Sequence, residues 1–166
     1  MREQAKGMDR EQQEQGADHI KVRQIAFGEA EYKSALKLRD EVLRRPLGLN
    51  IADDDLSGDA SALHIGAFIE FGAGERLVGT VLLRIKDERT LQMKQVAVDE
   101  SLRGIGVGQE MVKFAEALAA AKGYGEIVLN AREVAVPFYD KLDYIREGER
   151  FEEIGIPHYV MRKKLD

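Results

Sequence analysis

The sequence predicts an α/β (α+β) fold, with a mixed, mostly antiparallel central sheet and helices on both of its faces. Two observations predict it. Three apolar, strand-like runs between residues 64 and 98 are joined by short turns, which gives an antiparallel meander. A glycine-ended loop, an amphipathic helix and a further apolar strand follow, the pattern of one β-α-β crossover. The 166 residues, 44% hydrophobic and 33% charged, suffice for one domain with its own core.

Residues 1–19 hold five acids and three bases with almost no large apolar side chain. Such a segment buries too little surface to offset its ordering, so a disordered tail or an expression remnant is expected there. The folded domain is placed over residues 20–166. Alternating Ile20, Val22, Ile25 and Phe27 predict a strand over 19–27. Tyr32, Ala35, Leu36, Leu38, Val42 and Leu43 fall at helical spacing, which predicts a helix over 29–43 that ends before Pro46. Asp53, Asp54, Asp55 and Asp59 around Gly58 read as a solvated acidic loop.

Residues 64–71 form the next apolar run, closed by a turn at Gly72-Ala73-Gly74-Glu75. Residues 76–86 alternate, with Leu77, Val81, Leu83 and Ile85 expected on one face. After a turn at Asp87-Glu88-Arg89, residues 91–98 supply the third strand. Met111, Phe114, Ala115, Leu118 and Ala119 mark one face of a helix over 109–122, stopped by Gly123. A short buried strand is expected at 126–130 and a second helix at 133–142, with Pro137 in its first turns. Closing strands are expected at 144–151 and 157–162.

Several function classes are excluded. With no cysteine there are no disulfides, zinc-thiolate sites or cysteine nucleophiles, and no metal is expected. A net charge of −5 lacks the basic footprint of a nucleic-acid binder. No apolar run approaches the roughly 20 residues of a membrane span, and the N-terminus lacks a signal-peptide core, so a cytoplasmic protein without membrane partners is expected.

Arg103-Gly104-Ile105-Gly106-Val107-Gly108 carries the chemistry. Glycines let the backbone turn sharply and bring N–H groups close to a ligand, and the following helix adds its unpaired N–H groups and positive dipole end. With Arg103 this forms a pyrophosphate cradle, whereas a glycine-rich turn without ligand is the plainer reading. A Walker loop does not fit, because Gln109-Glu110 follows Gly108. A dinucleotide fingerprint does not fit either, because the glycines fall as G-x-G-x-G after a meander.

Val96-Ala97-Val98-Asp99 followed by Arg103-x-x-Gly106-x-Gly108 and an amphipathic helix resembles motif A of the GNAT N-acetyltransferase superfamily. Ala135-x-x-Phe138-Tyr139-x-Lys141-Leu142 resembles its motif B, and the resemblance runs from about Ile20 to Leu165. Phe151-Glu152-Glu153-x-Gly155-Ile156-Pro157-His158 and the run from Leu38 to Leu49 are similar to the ElaA-like branch. Two positions depart from the pattern. Arg132 stands where an asparagine that contacts cofactor is frequent, and Asp143 stands where glycine is usual.

The resemblance implies acetyl-CoA as donor, CoA as product, and a small-molecule or peptide primary amine as acceptor. It implies that the strand at Val96, Ala97 and Val98 splays from the strand ending at Asn130. The pantetheine arm would lie between them and the pyrophosphate on Arg103, Gly104, Ile105, Gly106, Val107 and Gly108. A backbone N–H near Val96 would serve the oxyanion. Tyr139 is the candidate acid for the leaving thiolate, against a core aromatic. His158 is the candidate base and acceptor contact, against a half-buried strand histidine, with Glu152 and Glu153 as alternatives. His64 reads as structural. Arg39, Arg44 and Arg45 end the first helix. There Arg39 and Arg45 are candidates to bind an acceptor carboxylate, against a solvated helix end. Homodimers are common in the family. A non-catalytic acyl-CoA-binding or sensing module on the same fold is the competing reading, followed by an interaction domain that binds another phosphate ligand.

Overall fold

The computed structural model describes residues 19–165, so the tail expected over 1–19 lies outside them except for His19. The predicted element order is the observed one. It runs β1 (Lys21–Ile25), α1 (Ala30–Arg39), β2 (Leu63–Phe71), β3 (Gly74–Ile85), β4 (Thr90–Val98), α2 (Val107–Ala121), β5 (Glu126–Arg132), α3 (Val136–Asp140), β6 (Ile145–Glu153) and β7 (Ile156–Lys164). The strands form one seven-stranded sheet in the order β1-β2-β3-β4-β5-β7-β6. Neighbours are antiparallel except β4 and β5, which the α2 crossover makes parallel. Among the described residues no helix is long and apolar enough to cross a membrane.

The helices divide the core between the two faces. Met111, Val112, Ala115 and Ala119 of α2 are fully buried against Ile65, Val81, Leu83, Leu91, Ile127 and Leu129. Each such large side chain contributes about 1.5–3 kcal/mol by leaving water. On the opposite face, Ala35 of α1 packs on Ile25, Phe68 and Leu77. Gly79 permits the close approach of α2, since a Cβ there would fall 2.8 Å from the Met111 sulfur.

Leu77 is therefore not on the face of Val81 and Leu83. Phe68 pairs with Leu77 and Ala67 with Gly79, so Val78 is an extra residue on β3. This bulge reverses the alternation, because one inserted residue moves everything beyond it to the other face. Ile85 ends β3 at 59% exposure rather than in the core.

α1 also stops earlier than its apolar spacing suggests. A π-helical turn, Asp40–Arg44, and a 3₁₀ turn, Arg45–Leu47, follow it. The predicted second helix is a 3₁₀ turn, Glu133–Ala135, leading into α3, where Pro137 sits in the first turn and forfeits no helical hydrogen bond.

The acidic loop is less solvated than its composition suggests. Asp59 is buried and accepts hydrogen bonds from Arg39 Nη1 and the Tyr32 hydroxyl, both at 2.7 Å. Its backbone carbonyl lies 2.7 Å from His64 Nε2. Asp54 pairs with Arg44 at 2.8 Å. Arg39 and Arg44 are themselves buried, so the helix end they occupy is not a solvated one.

Candidate active site

β4 and β5 pair over four residues each and then part. Their ladder runs from Thr90–Glu126 to Met93–Leu129. Beyond it β5 continues along β7 through Asn130, Ala131 and Arg132, while β4 continues along β3 through Ala97 and Val98. The parting has a local cause. On β3, Thr80 faces Ala97 and Leu82 faces Lys94, so Val81 stands opposite both Gln95 and Val96. Gln95 takes φ +58°, a left-handed conformation that costs a non-glycine residue about 1–2 kcal/mol. A bulge of this kind bends its strand. Among the described residues, the edges of Val96–Val98 and Asn130–Arg132 that border the gap have no strand partner, and a strand edge offers unpaired N–H and C=O groups.

The glycine loop leads from the end of β4 into α2. Gly104 and Gly106 have φ near +90°, and nothing lies within 4 Å of where a Cβ would stand. Their requirement is conformational rather than steric. Gly108 serves packing, since its Cβ would lie 3.3 Å from the Phe138 ring. Gly106 caps α2 without a side-chain bond, and the N–H groups of Val107, Gly108 and Gln109 have no acceptor among the described residues. The Arg103 side chain is 61% exposed and only loosely paired with Glu100, at 3.9 Å. Free N–H groups, a dipole end and a guanidinium fit a pyrophosphate. Gly106→Ala is expected to destabilise the loop by about 1–2 kcal/mol, because alanine pays for the left-handed conformation. Thermal unfolding checks this, and unchanged stability would show that the loop does not require glycine there.

Tyr139 is 6% exposed, with its ring edge-on to Phe138 at 5.0 Å and to Tyr144 at 5.7 Å. Burial alone pushes its phenol up to about 12, and its hydroxyl has no hydrogen-bond partner among the described residues. It packs in the cluster that contains Ala131 and Met161.

His158 pairs with Arg132 on β5 and with Phe151 on β6. Strand alternation puts Arg132 and His158 on the face opposite to Ala131, so His158 and Tyr139 lie on opposite faces of the sheet. His158 is 6% exposed and its ring stacks on Phe151 at 5.8 Å. Nδ1 lies 2.7 Å from the Ile156 carbonyl oxygen. A carbonyl only accepts, so Nδ1 carries the hydrogen and Nε2 presents a lone pair. Glu153 Oε2 is 3.7 Å from Nε2.

The predicted acceptor arginines separate. Arg39 is committed to Asp59 and has no route to solvent, whereas the Arg45 side chain is 67% exposed beside Asp40. Asn130 is exposed on the β5 edge, and Arg132 is half-buried there. Gln95 and the Arg44–Asp54 pair were not singled out as site groups by the sequence. A glutamine in a left-handed conformation leaves no compositional trace, so only the structure identifies it.

A family profile described as an acetyltransferase (GNAT) domain matches residues 61–165. Over 142 residues the chain is 33% identical to the uncharacterized N-acetyltransferase YjcF of Bacillus subtilis, which covers 84% of this chain and 96% of that protein. Escherichia coli ElaA shares its fold, with a TM-score of 0.74, 22% identity and coverage of 87% of this chain and 99% of that one. So does a GNAT family acetyltransferase from Elizabethkingia anophelis with acetyl-CoA bound, at a TM-score of 0.65, 18% identity and coverage of 89% and 99%.

Proposed function

This chain belongs to the GNAT acetyltransferase family, and from that premise we propose that it moves an acetyl group from acetyl-CoA to a primary amine by direct attack. The observation that carries the reading is the parted β4–β5 edge beside a helix terminus with free N–H groups. A related fold with acetyl-CoA bound supports the choice of donor.

Bound acetyl-CoA supplies an activated thioester carbonyl. The first-turn N–H groups of α2 and Arg103 hold its pyrophosphate, and the free edges of Val96, Val98 and Asn130 orient its arm. His158 takes a proton from the acceptor ammonium at Nε2, and Glu153 stabilises the imidazolium so formed. Removing that proton is required, since an ammonium with a pKa near ~10 is no nucleophile. Tyr139 holds a proton for the departing thiolate. The neutral amine adds to the thioester carbonyl, and as the tetrahedral adduct collapses the C–S bond breaks, the thiolate takes the Tyr139 proton and the nitrogen gives its second proton back to the phenolate. With no cysteine in the chain, no cysteinyl intermediate is available. Arg45, whose Nε pairs with Asp40 at 2.8 Å, has its exposed outer nitrogens left to meet an acceptor carboxylate.

The test is calorimetric titration with acetyl-CoA, with NAD and ATP as controls, followed by an amine screen read by thiol release. Saturable binding of acetyl-CoA alone is expected, with turnover on at least one amine. Binding of all three ligands alike, or of none, would overturn the assignment.

A further inference from the structure

A buried side chain of the segment after α1 reaches the bulge of β4. Arg44 closes the π-helical turn, with only 9% of its side chain exposed. Its Nε donates to Asp54 at 3.0 and 3.1 Å and its Nη2 donates to the same carboxylate at 2.8 Å. Nη1 donates to the Leu43 carbonyl at 3.1 Å. Nη2 also donates to Gln95 Oε1 at 3.3 Å. Every guanidinium nitrogen is thus engaged, and the planar fork is fixed by a bidentate carboxylate before it meets Gln95.

Gln95 is the residue of the bulge whose backbone is strained, at φ +58°. A strained conformation persists where its surroundings over-determine it. The Arg44 guanidinium is a rigid, buried donor aimed at that side chain. Strands β3 and β4 are in register on both sides of the bulge, so the flanking residues cannot relax independently.

We propose that Arg44 is a positioning residue for acetyl transfer: clamped by Asp54, it holds Gln95 in the left-handed conformation and so keeps β4 parted from β5. Its relevance to turnover rests on the reading of the gap as the acetyl-CoA site. Arg44 touches no reacting group and acts through the strand.

The test uses Arg44→Met, Arg44→Lys and the double variant Arg44→Met/Gln95→Gly in the full chain. Amide hydrogen exchange over residues 90–98, measured without ligand, reads the hold on the strand directly. Exchange there is expected to rise in Arg44→Met, and kcat/KM for acetyl-CoA to fall about tenfold, the scale of a left-handed strain released. Adding Gln95→Gly is expected to recover most of that activity, because glycine takes the conformation unaided. Arg44→Lys keeps an ion pair with Asp54 without the fork, and the same pattern is expected in milder form. That variant serves if Arg44→Met does not fold.

A role confined to stability predicts something else. Both Arg44→Met chains would then be equally impaired, because Asp54 loses its partner in each. Equal impairment, or unchanged exchange over 90–98, would overturn the proposal. Exchange that responds as expected in a chain that binds no acetyl-CoA would sustain the hold on Gln95 and overturn the acetyl-CoA reading instead.

Discussion

Tyr139→Phe is expected to lower kcat by roughly two orders of magnitude or more, the scale of a lost general acid, with acetyl-CoA affinity changed little. The substitution removes one oxygen and keeps the ring. Its edge-on contacts with Phe138 and Tyr144 survive, so the core cluster is undisturbed. Steady-state kinetics set beside calorimetric affinity decides the matter. An unchanged kcat would make Tyr139 a packing residue only. The pH dependence gives a second check. The folded phenol ionises near 12, against an unfolded value near ~10. Up to about pH 9 it is neutral in both states, so no loss of activity between pH 7 and 9 should trace to Tyr139. Between 10 and 12 the unfolded chain ionises first, and the stability contributed by the neutral buried phenol is lost as pH rises through that window.

Arg39→Met is expected to destabilise the fold by about 3–5 kcal/mol, the cost of removing one partner of a buried ion pair. That is a large part of a typical domain stability of about 5–15 kcal/mol. Asp59 would keep the Tyr32 hydroxyl but lose the charge that neutralises it. Burial pushes the Asp59 carboxyl up, but the hydrogen bonds from Arg39 and Tyr32 outweigh it and hold the group below the usual carboxylate range. Its contribution is therefore present above the unfolded value near ~3.8 and is lost as pH falls through the folded one. Thermal unfolding of Arg39→Met, Asp59→Leu and the double variant checks this. The double variant should be more stable than Arg39→Met alone, because no uncompensated charge stays buried. A loss below about 1 kcal/mol in Arg39→Met, the level of an exposed pair, would show that the pair contributes little.

These two residues also mark how far the sequence could be read. The order of elements was legible because periodicity and turn residues act locally. The glycine loop was legible for the same reason: positive φ at Gly104 and Gly106 demands glycine, and glycine is visible. Tyr139 and the parting of the strands came from the resemblance, since nothing in Gln95-Val96-Ala97 announces a bulge. The acidic run at Asp53, Asp54, Asp55 and Asp59 predicts a solvated loop, because no basic partner is adjacent in the sequence. The partners of Asp54 and Asp59, Arg44 and Arg39, stand 10 and 20 residues earlier, across a loop whose path no periodicity encodes. Alternation predicts the wrong face for Leu77 because the extra Val78 is an ordinary strand residue. Irregularities built from ordinary residues are silent in a sequence, and here they shape the gap.

The short ladder between β4 and β5 has a mechanical meaning. The strands β2–β4 are knit by antiparallel neighbours adjacent in the chain, and β6 and β7 form a second hairpin that pairs with β5. The four paired positions at Thr90–Met93 and the crossover helix join the two parts of the sheet, so this line has fewer ladder bonds than the joints on either side of it. A molecule lodged along that line rivets the halves together. Its binding then stabilises the folded chain by mass action, and the chain should unfold at a higher temperature when its cleft is filled.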